Sequence, residues 1–380
     1  MGGPARPEPG RRRPAHRHRL HDHRRSVVVT DRAQLAETFR RFADQQCAGL
    51  SPLYATLSHA VARSNDLLDL AARTRPGQPA PNLLLGGIHH ILRRGVQHPL
   101  APYFTGHEHL DADHADSLLA DFCRRHRARI ERIISTRSVQ TNEPGRCAVL
   151  LPAFAALQQQ LDERSIRIVD VGASAGLNLL WNRYTYDYGG QRLTLPDSDP
   201  ATVLACDIRG GTPPLSIDAA RFVRPVGIEL HPVDVTDTEA TEWLVSLTWP
   251  EQTARMRTLN AALALASRTP PTILAGPAEE HLADVVAETP IDQHLVFVFS
   301  WSIYQIFGSP GGRDRLAATL ADLSQQRPIH EISIGHFGHD TPRMIMASYD
   351  AGISRSDVVA HCDVYGNWLD WLTDPAHPGI

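Results

Sequence analysis

The chain has 380 residues, 42% of them hydrophobic and 21% charged, with a formal net charge of −4 at pH 7. That composition suits a soluble globular protein with a sizeable core, and no apolar run reaches the ~18–20 residues that span a bilayer, so an integral membrane protein is not expected. Five scattered cysteines (Cys47, Cys123, Cys147, Cys206, Cys362) are odd in number and form no C-x-x-C pair; this disfavours a disulfide scaffold or zinc ribbon and points to a reducing cytoplasm.

In chain order, the first feature is a local charge bias. Between Met1 and Arg25 stand eight arginines and four histidines against Glu8 and Asp22. Such a stretch cannot bury a core, so residues 1–30 read as a disordered basic tail, and without an apolar h-region it is no secretory signal. Order is expected from Asp31, which can cap a helix with Gln34 at capping-box spacing; Leu35, Phe39, Phe42 and Cys47 then share a face. Ser51-Pro52 is a second start signal, followed by Leu53, Leu57 and Val61. "RPGQPAPN" (75–82) is a loop whose Asn82 is expected to cap a helix carrying Leu85, Ile88, Ile91 and Leu92. Further helices are expected over 113–136 and 147–162. Residues 31–162 thus read as a helical cap domain.

At Ile166 the pattern changes. β-rich runs at 166–171, 226–230, 271–276, 294–300 and 330–335 alternate with helical stretches from Ala175 and over 238–267, 278–287 and 312–326. Such alternation predicts an α/β domain over 163–380 built on a parallel sheet with crossover helices. "YTYDYGGQRLTL" (184–195) interrupts it as a β-hairpin turned at Gly189-Gly190, with Tyr184, Tyr186 and Tyr188 on one face. "RMIMASYD" and "DVVAHCDVYG" suggest two more strands before the aromatic "NWLDWL".

The chemistry centres on "IVDVGASAGLNL" (168–179). As G-x-S-x-G it matches a nucleophile elbow, with Ser174 as the attacking oxygen of a serine hydrolase. That fold needs strands and an oxyanion loop before the serine, and the preceding region here is helical. Read instead as a strand turning through small residues into a helix, the segment is a ligand-binding loop, its N–H groups and helix dipole favouring a charged ligand group. Asp170, Gly172 and Gly176 have the acid-x-Gly-x-x-x-Gly form of the first motif of class I S-adenosylmethionine-dependent methyltransferases, which the segment resembles with Ser174 in place of the middle glycine. The next strand ends at Glu229, placed to accept both ribose hydroxyls. Ser300-Trp301-Ser302 follow the fourth strand, on the edge where ligands gather in open α/β sheets, which makes Ser300 and Tyr304 the candidate catalytic residues, Tyr304 to position or deprotonate an acceptor. "QTNEPGR" (140–146) offers Asn142, Glu143 and Arg146 on a polar loop, as a substrate clamp or a turn held by its own hydrogen bonds. "HEHLDADH" (107–114) has metal-type ligands without helical pairing, so no metal is expected.

From about Phe39 to Trp371 the chain also resembles the domain of unknown function family 2332, whose members are described as methyltransferase-like. The resemblance rests on "SPLYATL", "PNLLLGGIHHIL", "QTNEPGRCAVLLPAF", "DVGASAGLNLLWNRYTYDYGG", "GIELHPVDVTDTEATEWLVSLTWPEQ" and "YGNWLDWL". It implies a Rossmann-like class I methyltransferase sheet and S-adenosylmethionine as cofactor, held by Asp170, Gly172, Ala173, Ser174, Gly176, Glu229 and Gly276. Where such proteins carry Gly-Asp after the third strand, this chain has Gly276-Pro277, which removes an acceptor and a backbone donor. The expectation is a methyltransferase acting on a small molecule, with neither membrane nor nucleic acid as partner. A non-catalytic binding protein on the same fold and a hydrolase using Ser174 are the alternatives.

Overall fold

A computed structural model describes residues 2, 3, 31–106 and 108–372. All of the expected basic tail except residues 2 and 3 lies outside the described residues.

Seven helices come first: α1 (Arg32–Arg41), continued by a π-helical turn Phe42–Gln46, α2 (Pro52–Arg63), α3 (Asn65–Ala71), α4 (Ala80–Arg93), α5 (Ala112–Arg125), α6 (Arg127–Thr136) and α7 (Cys147–Gln160). Two start where the cap residues predict: Asp31 accepts the N–H of Ala33, and Ser51 that of Tyr54, with Pro52 at the first helical position. Leu35, Phe39, Phe42 and Cys47 are buried together as their spacing requires. Asn82 is no cap. It lies inside α4, which starts after Pro79. The helix expected over 113–136 is two, divided at His126, whose φ of −112° and ψ of 16° leave the helical region. Helices α1–α6 share one apolar core, while α7, apolar on nearly every face, joins the core beneath the sheet.

The remaining elements are β1 (Ser165–Val171), β2 (Tyr184–Tyr188), β3 (Gln191–Thr194), β4 (Asp199–Ala205), β5 (Asp207–Gly210), β6 (Val226–Glu229), α8 (Thr238–Ser246), α9 (Thr253–Arg268), β7 (Ile273–Ala275), α10 (Ala278–Glu288), β8 (Gln293–Ser300), α11 (Ile303–Ile306), α12 (Gly312–Leu323), β9 (Ile329–Gly335), β10 (Arg343–Asp350), β11 (Ile353–Cys362) and β12 (Trp368–Trp371). The architecture is α/β around a nine-stranded mixed sheet in the order β5-β12-β11-β10-β9-β8-β1-β6-β7. β7, β6, β1, β8 and β9 are mutually parallel, and β10, β11 and β12 continue as an antiparallel meander. Strand order reverses at β1: β6 and β7 extend one side, β8 and β9 the other. The apolar runs of β1 and β8 follow from burial on both faces.

The hairpin turns at Gly189-Gly190 as expected, both at positive φ, and β4 pairs beside β2 to complete a small second sheet. Tyr184, Tyr186 and Tyr188 are buried under it, and their hydroxyls donate to backbone carbonyls of Leu177, Trp181 and Ala148. Two helices differ from expectation. The stretch 238–267 breaks into α8 and α9 at Trp249-Pro250, because a proline lacks the N–H and crowds the preceding residue out of helical geometry. The turn after β1 is a 3₁₀ helix, Leu177–Arg183, in place of an α-helix from Ala175. Among the described residues, no helix is long and apolar enough to cross a membrane.

Candidate functional site

The carboxyl ends of four parallel strands open onto one cleft of about 740 Å³. Gly172 and Ser174 enter it after β1, Glu229 at the end of β6, Gly276 after β7, and Ser300, Trp301 and Ser302 at the end of β8. A crevice where strand order reverses is where open α/β sheets place ligands, and this volume suits a cofactor-sized molecule.

Backbone geometry explains the small residues of the first loop. Gly172, Ser174 and Gly176 have φ of +83°, +54° and +72°. A Cβ on Gly172 would stand 2.5 Å from Ser302 Cβ, and one on Gly176 2.6 Å from Pro271 Cγ, so neither position admits a side chain. Ser174 occupies a left-handed conformation that glycine adopts at no cost. Its N–H donates to Glu229 Oε2 at 2.9 Å, and Glu229 Oε1 accepts the N–H of His231 at 3.0 Å, so the β6 carboxylate ties the loop to its own strand end. The Ser174 hydroxyl faces Gln140 Oε1 at 3.4 Å, not the imidazole that a hydrolase nucleophile requires.

The anion-binding expectation for this loop is corrected. Gly172 and Ala173 donate to the Ile228 carbonyl, Gly176 to that of Ala173, and Leu177 to Asn142 Oδ1 at 2.9 Å. With the N–H groups of Gly172, Ala173, Ser174, Gly176 and Leu177 taken and no α-helix behind it, the loop offers a ligand shape more than charge. Ala173 and Gly176 lie behind the cleft, Ala173 packing against Gly227. Asp170 lies behind it too. Burial pushes its carboxyl up to about 7, against the opposing pull of the Asn178 side chain and the Arg146 guanidinium, and its Oδ2 has no hydrogen-bond partner.

The 140–146 loop forms the opposite wall. Arg146 is buried; its Nε donates to the Val364 carbonyl at 3.0 Å and its Nη1 to the carbonyl and hydroxyl of Ser300, both at 3.3 Å. Loss of water lowers its pKa to about 10. Asn142 holds the β1 loop through Leu177, and the buried Glu143 pairs with Arg255 at 2.6 Å, whose guanidinium lies 3.5 Å from the Tyr365 ring centroid. Asn142 and Glu143 line a second cavity of about 510 Å³, which shares Val139, Gln140, Thr141, Trp301 and Val364 with the first. Helix-side residues Gln45, Gln46, Leu50 and Asn82 close it from above.

Thus Gly172, Ser174, Glu229, Gly276, Arg146 and Ser300 meet in the cleft, with Asn142 and Glu143 next door. Tyr304 does not join them. It is 37% exposed, lines neither cavity and packs near Phe337, because its four-residue helix turns it away from the strand end. Sequence reading missed Gln140, which bridges Ser174 and the His231 carbonyl, and Glu279, an acid in the first turn of α10. Glu279 lines the cleft beside Gly276-Pro277, and the exposed Leu230 lines it beside Glu229. Trp301 was named only as a neighbour; it holds φ at +67° and its indole N–H has no partner. A bulky residue in that conformation is a strain that surrounding structure must impose. Among the described residues, no three His, Cys, Asp or Glu side chains gather to hold a metal.

Residues 36–371 match the family described as "Uncharacterized protein conserved in bacteria (DUF2332)". No curated protein matches the chain. The chain belongs to the DUF2332 family, as its motifs imply.

Proposed function

Taking that family membership as the premise, we propose that the chain is a cytoplasmic S-adenosylmethionine-binding protein and a methyltransferase acting on a small molecule. The observation that carries the reading is the convergence of the β1, β6, β7 and β8 ends on one cleft at the reversal of strand order. The parallel strands, numbered by their order in the chain, lie 3-2-1-4-5, which supports a Rossmann-like sheet; the meander beyond β9 and the 3₁₀ turn after β1 are this chain's own departures. Five buried free thiols accord with a reducing compartment.

The residues present fit the cofactor. The backbone at Gly172, where a positive φ and the nearness of Ser302 admit no side chain, would receive the amino-acid portion beside the small Ser174. Glu229 has one backbone N–H on each oxygen, leaving lone pairs for two ribose hydroxyls. Leu230 and Pro277 would flank the base, and Glu279 supplies a carboxylate near the position where Pro277 replaces an acid. When bound, S-adenosylmethionine would supply an electrophilic methyl group. The protein's contribution is alignment and exclusion of water: Arg146 fixes Ser300 and the Val364 backbone, and Trp301 and Gln140 separate the cofactor cleft from the second cavity, where the acceptor would sit.

Gly276-Pro277 favours a second reading, a binding protein that keeps the cleft and performs no transfer. Calorimetry on Glu229→Ala tests the shared premise: affinity for S-adenosylhomocysteine falls several-fold or more, and an unchanged affinity removes the ribose assignment. A fluorophosphonate that labels the chain, with labelling lost in Ser174→Ala, would restore the hydrolase.

A further inference from the structure

Where the N-terminal helices meet α8 lies a further hollow of about 510 Å³, lined by His90, Arg94, Arg129, Arg132, Arg137 and Glu239, with Ile133 and Thr136 between them. Four guanidinium groups face one carboxylate, a surplus of three positive charges in a chain whose net charge is negative. His90 adds none near neutral pH, since burial lowers its pKa.

The arrangement is built, not scattered. Glu239, in the first turn of α8, pairs with Arg94 at the end of α4 and with Arg137 just after α6, and it accepts from His90 at 3.2 Å. One carboxylate thereby holds arginines from two different elements side by side. Arg137 is further fixed with its guanidinium carbon 5.7 Å from the Trp243 ring centroid. Arg129 and Arg132 stand three residues apart, on one face of α6.

Helix electrostatics account for only part of this. Arg132 lies in mid-helix, beyond the reach of the macrodipole; Arg94 and Arg137 sit at helix C-terminal ends, where it favours cations. Arg129 does not: it lies in the first turn of α6, which carries two arginines and no acid, and there the dipole disfavours it. Its neighbour Arg127 is neutralised by Glu131 at 3.0 Å; among the described residues Arg129 and Arg132 have no such partner. Arg129 and Arg132 thus add positive charge that no carboxylate among the described residues pairs, and an entering anion would relieve their repulsion.

We infer that this hollow is a binding site for a small soluble polyanion carrying two linked phosphate groups. Planar forks from several directions suit phosphate oxygens, and the surplus of three charges matches a diphosphate. The site is independent of the methyltransferase reading, because it shares no lining residue with either cavity.

Isothermal titration of the full chain with inorganic pyrophosphate at low salt tests it. One saturable site is expected, with affinity falling as ionic strength rises. Arg129→Gln with Arg132→Gln should weaken binding by roughly tenfold or more while the thermal melt is unchanged or raised and the response to S-adenosylhomocysteine stays unchanged. Arg132→Lys, which keeps charge but loses the fork, should fall between. No saturable heat from folded protein, or equal binding in the double variant, overturns the proposal. Co-sedimentation with phosphatidate vesicles that pyrophosphate does not compete away would overturn the assignment to a soluble ligand.

Discussion

Ser174 holds φ at +54° between two glycines that no side chain could replace. The letters G-x-S-x-G made it legible as a glycine substitute, since an interrupted glycine pattern after an apolar run implies a left-handed turn. What the letters could not show is who satisfies the loop: the N–H groups of Ser174 and Leu177 are taken by the side chains of Glu229 and Asn142, 55 and 35 residues distant. Two predictions belong here. Ser174→Gly should leave the urea midpoint unchanged or raised, whereas Ser174→Val should destabilise by about 1–2 kcal/mol, because a β-branched residue resists this conformation. Asp170 gives the second. Its folded pKa is raised to about 7, so the folded state keeps a proton that the unfolded chain releases above its ordinary value of 3.8. The stability it contributes is therefore full below the unfolded value and is lost as pH rises through the folded one. Asp170→Asn should shrink the difference in urea midpoint between about pH 5 and about pH 8; a difference as large as in the wild type would contradict the assignment.

Elements were most legible where a local signal decides them. Asp31 and Ser51 cap helices because a side-chain oxygen meets an N–H two or three residues on, and Gly189-Gly190 turns the hairpin because both need positive φ. β5 and β12 escaped notice for the opposite reason: each has four residues and they pair with one another across the length of the α/β region. Contacts at such range also finish elements that begin locally. Glu251 lies in the break between α8 and α9, yet its two oxygens accept from the Ser51 hydroxyl at 2.7 Å and the Leu53 N–H at 2.8 Å, capping α2 from 200 residues away. Glu251→Ala should cost about 1–2 kcal/mol in urea denaturation, the loss of a cap that also leaves the hydroxyl proton of the buried Ser51 without an acceptor. A change within a few tenths of a kcal/mol would show that water replaces it.

At the scale of the molecule, strand–helix alternation revealed an α/β fold and which strand ends would meet at one cleft, because parallel strands connected by crossovers place their carboxyl ends on one edge. It did not reveal that α7 packs beneath the sheet, that Trp243 of α8 joins the core of the N-terminal helices, or that Gln140 and Trp301 stand between two adjoining cavities. Those are consequences of how the helices and the sheet meet, and no local pattern encodes them. The central claim is that the cleft at the reversal of strand order receives S-adenosylmethionine. Calorimetric titration of the wild-type chain with S-adenosylmethionine and S-adenosylhomocysteine tests it most directly. Saturable binding at one site per chain is predicted for both; no heat with either, from a sample shown to be folded, would contradict the account.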